Sequence, residues 1–584
     1  MPGPDGIPNE ILKKLIEEKP KRIGNILNRC LEERCFPDAW KRCSVSLIPK
    51  DEEKEGKIGE KSKFRPICLI NTMGKVLEKV IERRLQEEVK DKINIGQFGF
   101  SKGMETIDAV RKVTEIIQER MKKGMYVIAV SLDIKNAFNS VGWDQIIKNM
   151  EGMGINEALR DIIGSYLSNR KAEMMFEGDR LEWEVNRGVP QGSVLGPTLW
   201  NIGYNNILKN DECGGRILCY ADDTIFLDEG KHLGKLMTNA QRRNREIVDN
   251  IEELGLDVAP EKTELVIFSR KRYKFGEKRE INTKNRIIKA GKSMKYLGIT
   301  LDEKLSFRPH IQGTYGKSIK VMNSLGMVLG NIRGSTEGKR KLLTRVGQAI
   351  FMYGAPIWED KIGKGDNKKW AGKISRISAI KTSAAYRTVT TEAAEVIAGS
   401  PPVELIAKMR KNNYERIKEL NLDGLNKKER NRITRRIKKE GNRKMMKWWQ
   451  EKWEIDTEKA TSTKKLITNI EMWKNRKYGS VDYYLTQFLS GHGAFNQYLY
   501  KFKKRESPLC RVCKKEENAE HVIMHCKRWE NERRGIYRED SGQVINSRKL
   551  VEQAIRNKEK WRLMTETVKR ILSTKETEER GMGF

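Results

Sequence analysis

Gly215-Arg216-Ile217-Leu218-Cys219-Tyr220-Ala221-Asp222-Asp223-Thr224-Ile225-Phe226-Leu227 sets two adjacent carboxylates between two apolar runs. Each run reads as a short buried strand, so the pattern predicts a hairpin with Asp222 and Asp223 at its tip. Neighbouring carboxylates repel, and burying them is costly unless cations bind there. A pair of Mg²⁺ ions is the commonest remedy. Taken alone, the two acids also read as an acidic turn, because Asp favours turns and short motifs recur by chance.

A two-ion site needs a third acid. Val127-Ile128-Ala129-Val130-Ser131-Leu132-Asp133 supplies one, an apolar strand that ends in a carboxylate and runs on into Ile134-Lys135-Asn136-Ala137-Phe138-Asn139. Three such carboxylates can hold two ions roughly 4 Å apart, one activating a 3′-hydroxyl and the other steadying a leaving pyrophosphate. That is the chemistry of nucleotide addition.

The rest of the chain fits a polyanionic partner. Lys and Arg number 115 against 80 Asp and Glu, a net charge of +35. Binding phosphates releases their counterions, which favours association. The excess is clustered between Lys408 and Lys447, as in Lys427-Lys428-Glu429-Arg430-Asn431-Arg432 and Arg435-Arg436-Ile437-Lys438-Lys439. No apolar run reaches the ~18 residues of a membrane span, and Met1-Pro2-Gly3-Pro4-Asp5-Gly6 does not read as a signal peptide. Six of the nine cysteines are scattered from Cys30 to Cys219, as free thiols in a reducing compartment would be.

The 584 residues suggest about four domain-sized units. Apolar residues at helical spacing dominate up to about residue 125, as in Ile11-Leu12-Lys13-Lys14-Leu15-Ile16 and Gly74-Lys75-Val76-Leu77-Glu78-Lys79-Val80-Ile81, with one strand at Ser44-Val45-Ser46-Leu47-Ile48-Pro49. Strands and helices mix over about 126–300, including helices across Trp143–Met150 and Ala240–Leu254 and a strand at Leu265–Phe268. From about 310 to 450 the pattern is helical and increasingly basic. The fold class is therefore α+β, with no internal repeat and no low-complexity linker.

In order along the chain, Pro2-Gly3-Pro4-Asp5-Gly6-Ile7-Pro8, Leu47-Ile48-Pro49-Lys50, Phe64-Arg65-Pro66-Ile67, Leu132–Phe138, Gly188-Val189-Pro190-Gln191-Gly192-Ser193-Val194-Leu195-Gly196-Pro197, Tyr220–Asp223, Glu261-Lys262-Thr263 and Tyr296-Leu297-Gly298 resemble the motifs of non-LTR (LINE-like) retrotransposon reverse transcriptases. The resemblance is greatest to the arthropod clade that inserts into ribosomal DNA. It implies a right-hand polymerase: fingers over 1–125, palm over 126–300, helical thumb and basic connector over 301–450, and a nucleic-acid-binding region over 451–584. It also implies RNA-directed DNA synthesis on an RNA template and a DNA primer or target, from deoxynucleoside triphosphates, in the nucleus. Asp133, Asp222 and Asp223 would hold the two Mg²⁺ ions.

The resemblance assigns further roles. Lys50 and Arg65 would meet the incoming triphosphate, Lys50 as a point charge and Arg65 through a bidentate fork. Phe138 would lie under the sugar and exclude a 2′-hydroxyl, with ordinary core packing as its competing role. Gln191 would contact the nucleotide or template from a Gly/Pro loop whose backbone can approach a ligand closely. Lys262 would protonate the pyrophosphate. One block departs from the family: Gln97-Phe98-Gly99-Phe100-Ser101-Lys102-Gly103-Met104-Glu105-Thr106 carries Ser101 where arginine is usual.

Near the end, Cys510, Cys513, His521 and Cys526 give the spacing C-x2-C-x7-H-x4-C, close to that of a closed tetrahedral zinc site. His525 is an alternative to Cys526 as fourth ligand. So small a knuckle needs its one structural Zn²⁺ to fold. Lys501, Lys503, Lys504 and Arg505 stand beside Tyr498, Tyr500 and Phe502, which suits phosphate contact with base stacking as well as core packing. Trp448, Trp449 and Trp453 read as core.

The family's endonuclease has no counterpart in this sequence. No Pro-Asp motif follows Cys526, and no four-carboxylate ribonuclease H pattern is found, so the expectation is the polymerase and C-terminal part of a longer polyprotein. Two rival expectations are a decayed retroelement copy that only binds nucleic acid, and an intron-type maturase.

Overall fold

The computed structural model describes residues 2–49, 64–209, 216–271, 279–326, 335–420, 422–455, 458–534, 536 and 545–581. They form two compact units, Met1–Ser306 and Phe307–Phe584, rather than the four that length suggests. One reason is that a large shared hydrophobic core draws on the first unit from Cys30 to Ile288. No described helix is long and apolar enough to cross a membrane.

The first unit is built on an antiparallel sheet in the order Glu264–Phe268, Tyr126–Leu132, Asp223–Gly230, Ile217–Tyr220. The strand Tyr126–Leu132 is buried almost throughout, so it reads as a continuous apolar run rather than an alternating one. Both of its faces are covered. Ile128, Val130 and Leu132 join the core that holds Leu236, Ala240, Ile247 and Ile251 of the helix Leu233–Glu253. The helix Thr106–Lys122 packs against the same strand.

A second sheet runs Phe64–Ile70, Arg42–Pro49, Arg170–Phe176, Asp179–Val185, with only the middle pair parallel. The strand read over Ser44–Pro49 is present two residues longer, and Phe64–Ile70, unassigned from the sequence, pairs with it from Cys43↔Ile70 to Pro49↔Phe64.

The second unit is helical among its described residues. Along the helix Lys427–Ile455, Ile437, Gly441, Met445, Trp449 and Trp453 are buried at steps of four, the spacing that presents one stripe to a neighbour. That neighbour is the helix Val403–Glu419. Gly441 makes room there for the Asn413 side chain, since a Cβ would lie 2.0 Å from Asn413 Oδ1. Trp449 and Trp453 share a core with Trp473, Trp529 and Trp561.

Candidate active site and zinc centre

The hairpin forms with a two-residue loop. Tyr220 pairs with Asp223, leaving Ala221 and Asp222 at the tip, and Ala221 adopts φ +59°. Asp223 therefore begins the outgoing strand, one residue earlier than the apolar run alone implies. Leu132 pairs with Thr224, and this register carries Asp133, the next residue, alongside Asp223. Three carboxyl groups from two distant segments are thereby placed at one end of the sheet's two central strands.

Their environment opposes ionisation. Burial, with Asp222 and Asp133 adding repulsion, pushes Asp223 up to about 6. Asp222 is also raised, first by burial and further by Asp133. Lys262 opposes both shifts, and its Nζ lies 2.5 Å from Asp133 Oδ2. One ammonium facing three carboxyl groups leaves the cluster short of cations, and an all-oxygen donor set suits Mg²⁺.

A strap holds the tip. Phe98 N donates to Cys219 O at 2.8 Å and Cys219 N to Gly96 O at 2.8 Å. Gln97 Oε1 accepts from Ala221 N at 3.0 Å and from Gly99 N at 2.9 Å. Gly99 lies so close that a Cβ would stand 2.1 Å from Ala221 N. In this same block Ser101, the departure from the family pattern, donates its hydroxyl proton to Gln97 O at 2.7 Å. The serine thus helps hold the strap.

The Gly/Pro loop is tied to the acidic strand and to the second sheet. Val189 N donates to Phe138 O and Cys68 N to Gln191 O, both at 2.7 Å. Gly188 and Gly192 have φ of +79° and +116°, and added Cβ atoms would meet Asn139 C at 2.5 Å and Cys68 O at 2.7 Å. Phe138 is half-buried, stacked on Trp200 at 5.2 Å between centroids and met edge-on by Phe100 at 5.6 Å. Arg65 is exposed on the strand that Cys68 shares. Lys50 lies outside the described residues.

Glu78, read only as part of a helix, is the anchor of this loop. It is fully buried, and its Oε2 accepts from Ser193 Oγ at 2.8 Å, Val194 N at 2.5 Å and Leu195 N at 3.3 Å. Burial raises its carboxyl above the usual range despite those bonds. Ser193 Oγ also lies 2.7 Å from Tyr166 OH, whose ring carries the buried Arg170 guanidinium at 4.7 Å. The available signal was an acid standing beside Leu77 on the apolar stripe.

In the second unit, Cys510, Cys513, His521 and Cys526 bring their ligand atoms within 4.8 Å of one another. Cys526 Sγ lies 3.7 Å from Cys510 Sγ and 3.8 Å from Cys513 Sγ. A single π-helical turn, His521–His525, sets the histidine and the last cysteine on one side. His521 Nε2 is buried without a hydrogen-bond partner among the described residues, as a ligand nitrogen would be. His525 is exposed and outside the group. The donor set fits one tetrahedral zinc ion.

Residues 48–301 match the family described as reverse transcriptase (RNA-dependent DNA polymerase). This stretch, which holds Asp133, Asp222 and Asp223, is thus similar to reverse transcriptase domains. Over 90% of its length it is 26% identical to a 115 kDa protein of the type-1 retrotransposable element R1DM of Drosophila melanogaster, covering 51% of that protein. Over 91% it is 26% identical to a Pol polyprotein of the type-1 element R1 of Bradysia coprophila, covering 53%. The chain thus spans about half the length of these two relatives. Among solved structures, a telomerase from Candida albicans aligns over 65% of this chain and 69% of its own, with a TM-score of 0.36 and 12% identity.

Proposed function

We propose that the chain is the RNA-directed DNA polymerase of a non-LTR retrotransposon of the R1 kind, extending a DNA primer on an RNA template with deoxynucleoside triphosphates. The observation that carries this reading is the meeting of Asp133, Asp222 and Asp223 at the strapped hairpin, inside the stretch similar to reverse transcriptase domains. These three carboxylates would hold two Mg²⁺ ions, which when bound activate the primer hydroxyl and neutralise the leaving pyrophosphate.

The chain's own residues do the rest. Gln97 and Gly99 fix the tip that aims Asp222 and Asp223. Glu78 fixes the loop from which Gln191 reaches the nucleotide or template. Phe138, held flat by Trp200, closes the space where a 2′-hydroxyl would stand. Arg65 and Lys50 meet the triphosphate, and the proton for the leaving pyrophosphate comes from the Lys262 ammonium. The fingers, palm, thumb and C-terminal assignments are carried forward with this reading, as is a zinc ion on Cys510, Cys513, His521 and Cys526. Insertion into a chromosomal target calls for a nuclear site of action, which imaging of a tagged chain tests.

Primer extension is the deciding experiment. Purified chain extends a DNA primer on an RNA template in Mg²⁺, and Asp222→Asn abolishes extension while keeping the circular dichroism of the parent. Equal extension by that variant sinks the assignment, as does absence of extension by the parent.

A further inference from the structure

Two thiols stand beside the Gly/Pro loop of the first unit. On the antiparallel pair Arg42–Pro49 and Phe64–Ile70, Cys43 faces Ile70 and Val45 faces Cys68. Side chains alternate along a strand, so Cys43 and Cys68 share one face of the sheet as diagonal neighbours. Cys43 is buried with Ile70 and Ala172, and the half-buried Cys68 packs against that cluster. A hydrogen bond joins the two thiols.

The pair is unequal. Their shared bond, and then burial, raise the Cys43 thiol. The same bond lowers the Cys68 thiol against the effect of burial, and the buried Arg170 guanidinium and a backbone hydrogen bond from Gln191 lower it further. Burial wins elsewhere in the unit, pushing the Cys219 thiol up to about 12. The thiolate is the form that attacks, so Cys68 is the nucleophile of the pair and Cys43 the thiol poised to resolve what it forms.

Cys68 also holds the loop. Its backbone N donates to Gln191 O at 2.7 Å, and a Cβ on Gly192 would lie 2.7 Å from its carbonyl oxygen. The side chain of Cys68 thus meets Cys43 while its backbone grips the loop. Diagonal neighbours on paired strands stand about 7–8 Å apart, whereas a disulfide spans at most about 6.8 Å between Cα atoms. Joining Cys43 to Cys68 therefore moves Cys68 by roughly 1 Å, and its bond to Gln191 is disturbed.

We propose that Cys43 and Cys68 are a peroxide-oxidised pair whose disulfide loosens the Gly/Pro loop and stops nucleotide addition. The Cys68 thiolate attacks one oxygen of hydrogen peroxide, the O–O bond breaks, and the departing hydroxide takes up a proton as water, leaving a sulfenic acid on Cys68. The Cys43 thiol then attacks that sulfur. The S–S bond forms, the S–O bond breaks, and the hydroxyl leaves with the Cys43 proton as a second water. Two thiols give up two electrons and two protons, and one peroxide becomes two waters. The inference rests on the polymerase reading, in which Gln191 serves the nucleotide or template.

The test treats the purified full chain with hydrogen peroxide and divides it for three measurements. Peptide mass spectrometry reads a Cys43–Cys68 bridge, amide hydrogen exchange reads residues 188–196, and primer extension reads activity. In the oxidised parent the bridge is found, the loop exchanges faster, and extension falls on the order of a hundredfold. Dithiothreitol reverses all three. Cys43→Ala stops at the sulfenic acid, which dimedone labels on Cys68; it extends as the parent does before peroxide and keeps that level afterwards. Cys68→Ala likewise keeps its own starting level. Peroxide also reaches the cysteines of the second unit, so the difference between the parent and these variants is decisive.

No bridge in the oxidised parent, equal loss of extension in the parent and both variants, or a bridged loop that exchanges as slowly as the reduced one overturns the inference. A bridge with a loosened loop in a chain that never extends a primer counts instead against the polymerase reading, so the two failures are told apart.

Discussion

Glu78 offers a direct trial of how the Gly/Pro loop is held. Glu78→Ala strips Val194 N and Leu195 N of their acceptor, whereas Ser193 keeps Tyr166 OH at 2.7 Å as a partner for its hydroxyl. Two buried amides left unpaired, at about 1–3 kcal/mol each, put the loss at about 2–6 kcal/mol. A domain of this size moves its midpoint by about 2 °C per kcal/mol, so the first unit's transition falls by roughly 4–12 °C. Glu78→Gln keeps an oxygen for the same amides and has no charge to desolvate. The sign with pH follows from burial raising the Glu78 carboxyl. The native state holds that proton more tightly than the unfolded chain, so its stabilising effect is complete below the unfolded value of about 4.3 and fades as pH rises through the higher native one. The Gln variant, with no such proton to lose, gains on the parent between pH 5 and pH 8. Scanning calorimetry at both pH values reads these shifts. An Ala variant within 2 °C of the parent, or a Gln variant falling as far as the Ala one, refutes the anchoring role.

The carboxylate cluster predicts a proton–metal competition. With Asp223 raised to about 6, protonation favours the metal-free fold at low pH, and that contribution disappears as pH rises through about 6. Mg²⁺ therefore raises the melting temperature more at pH 8 than at pH 5.5, and a shift independent of pH contradicts it. Gly99→Ala drives a methyl group to within 2.1 Å of Ala221 N, so the tip must move; primer extension falls on the order of a hundredfold while bulk folding persists, and near-parental activity rules out the strap. Phe138→Val opens the sugar site, and ribonucleotide incorporation rises about tenfold or more relative to deoxynucleotide; unchanged sugar selection leaves Phe138 as core alone. Chelation of zinc, or Cys526→Ser, loosens the packing of Trp529 and shifts its fluorescence to the red without moving the first unit's transition; metal analysis finding no zinc in the purified chain removes that centre.

What could be read from the residues in order was whatever has a local period. The hairpin around Asp222 and Asp223 was legible because apolar runs flank a short polar tip, and the helix Lys427–Ile455 because its apolar residues recur at steps of four. Asp133 was legible as a strand end, but its meeting with Asp223 depends on the Leu132↔Thr224 register, which joins segments far apart in the chain. Gln97 is harder still: its partner Ala221 is 124 residues away, and a glutamine that bonds a backbone amide leaves no periodic trace. Length is equally silent on the fact that the helix Thr72–Val89 and the strand Tyr126–Leu132, on either side of residue 125, bury apolar residues in one shared core. Glu78 and Glu395 differ from Gln97. Each is an acid standing among apolar neighbours, Glu78 beside Leu77 and Glu395 between Ala394 and Val396, where burial without a partner is too costly to persist. That misfit is visible without coordinates. In the first unit it marks the residue that fixes the Gly/Pro loop, and in the second a carboxyl that burial pushes up to about 8, so acids on apolar stripes point to buried polar groups that motif patterns do not contain.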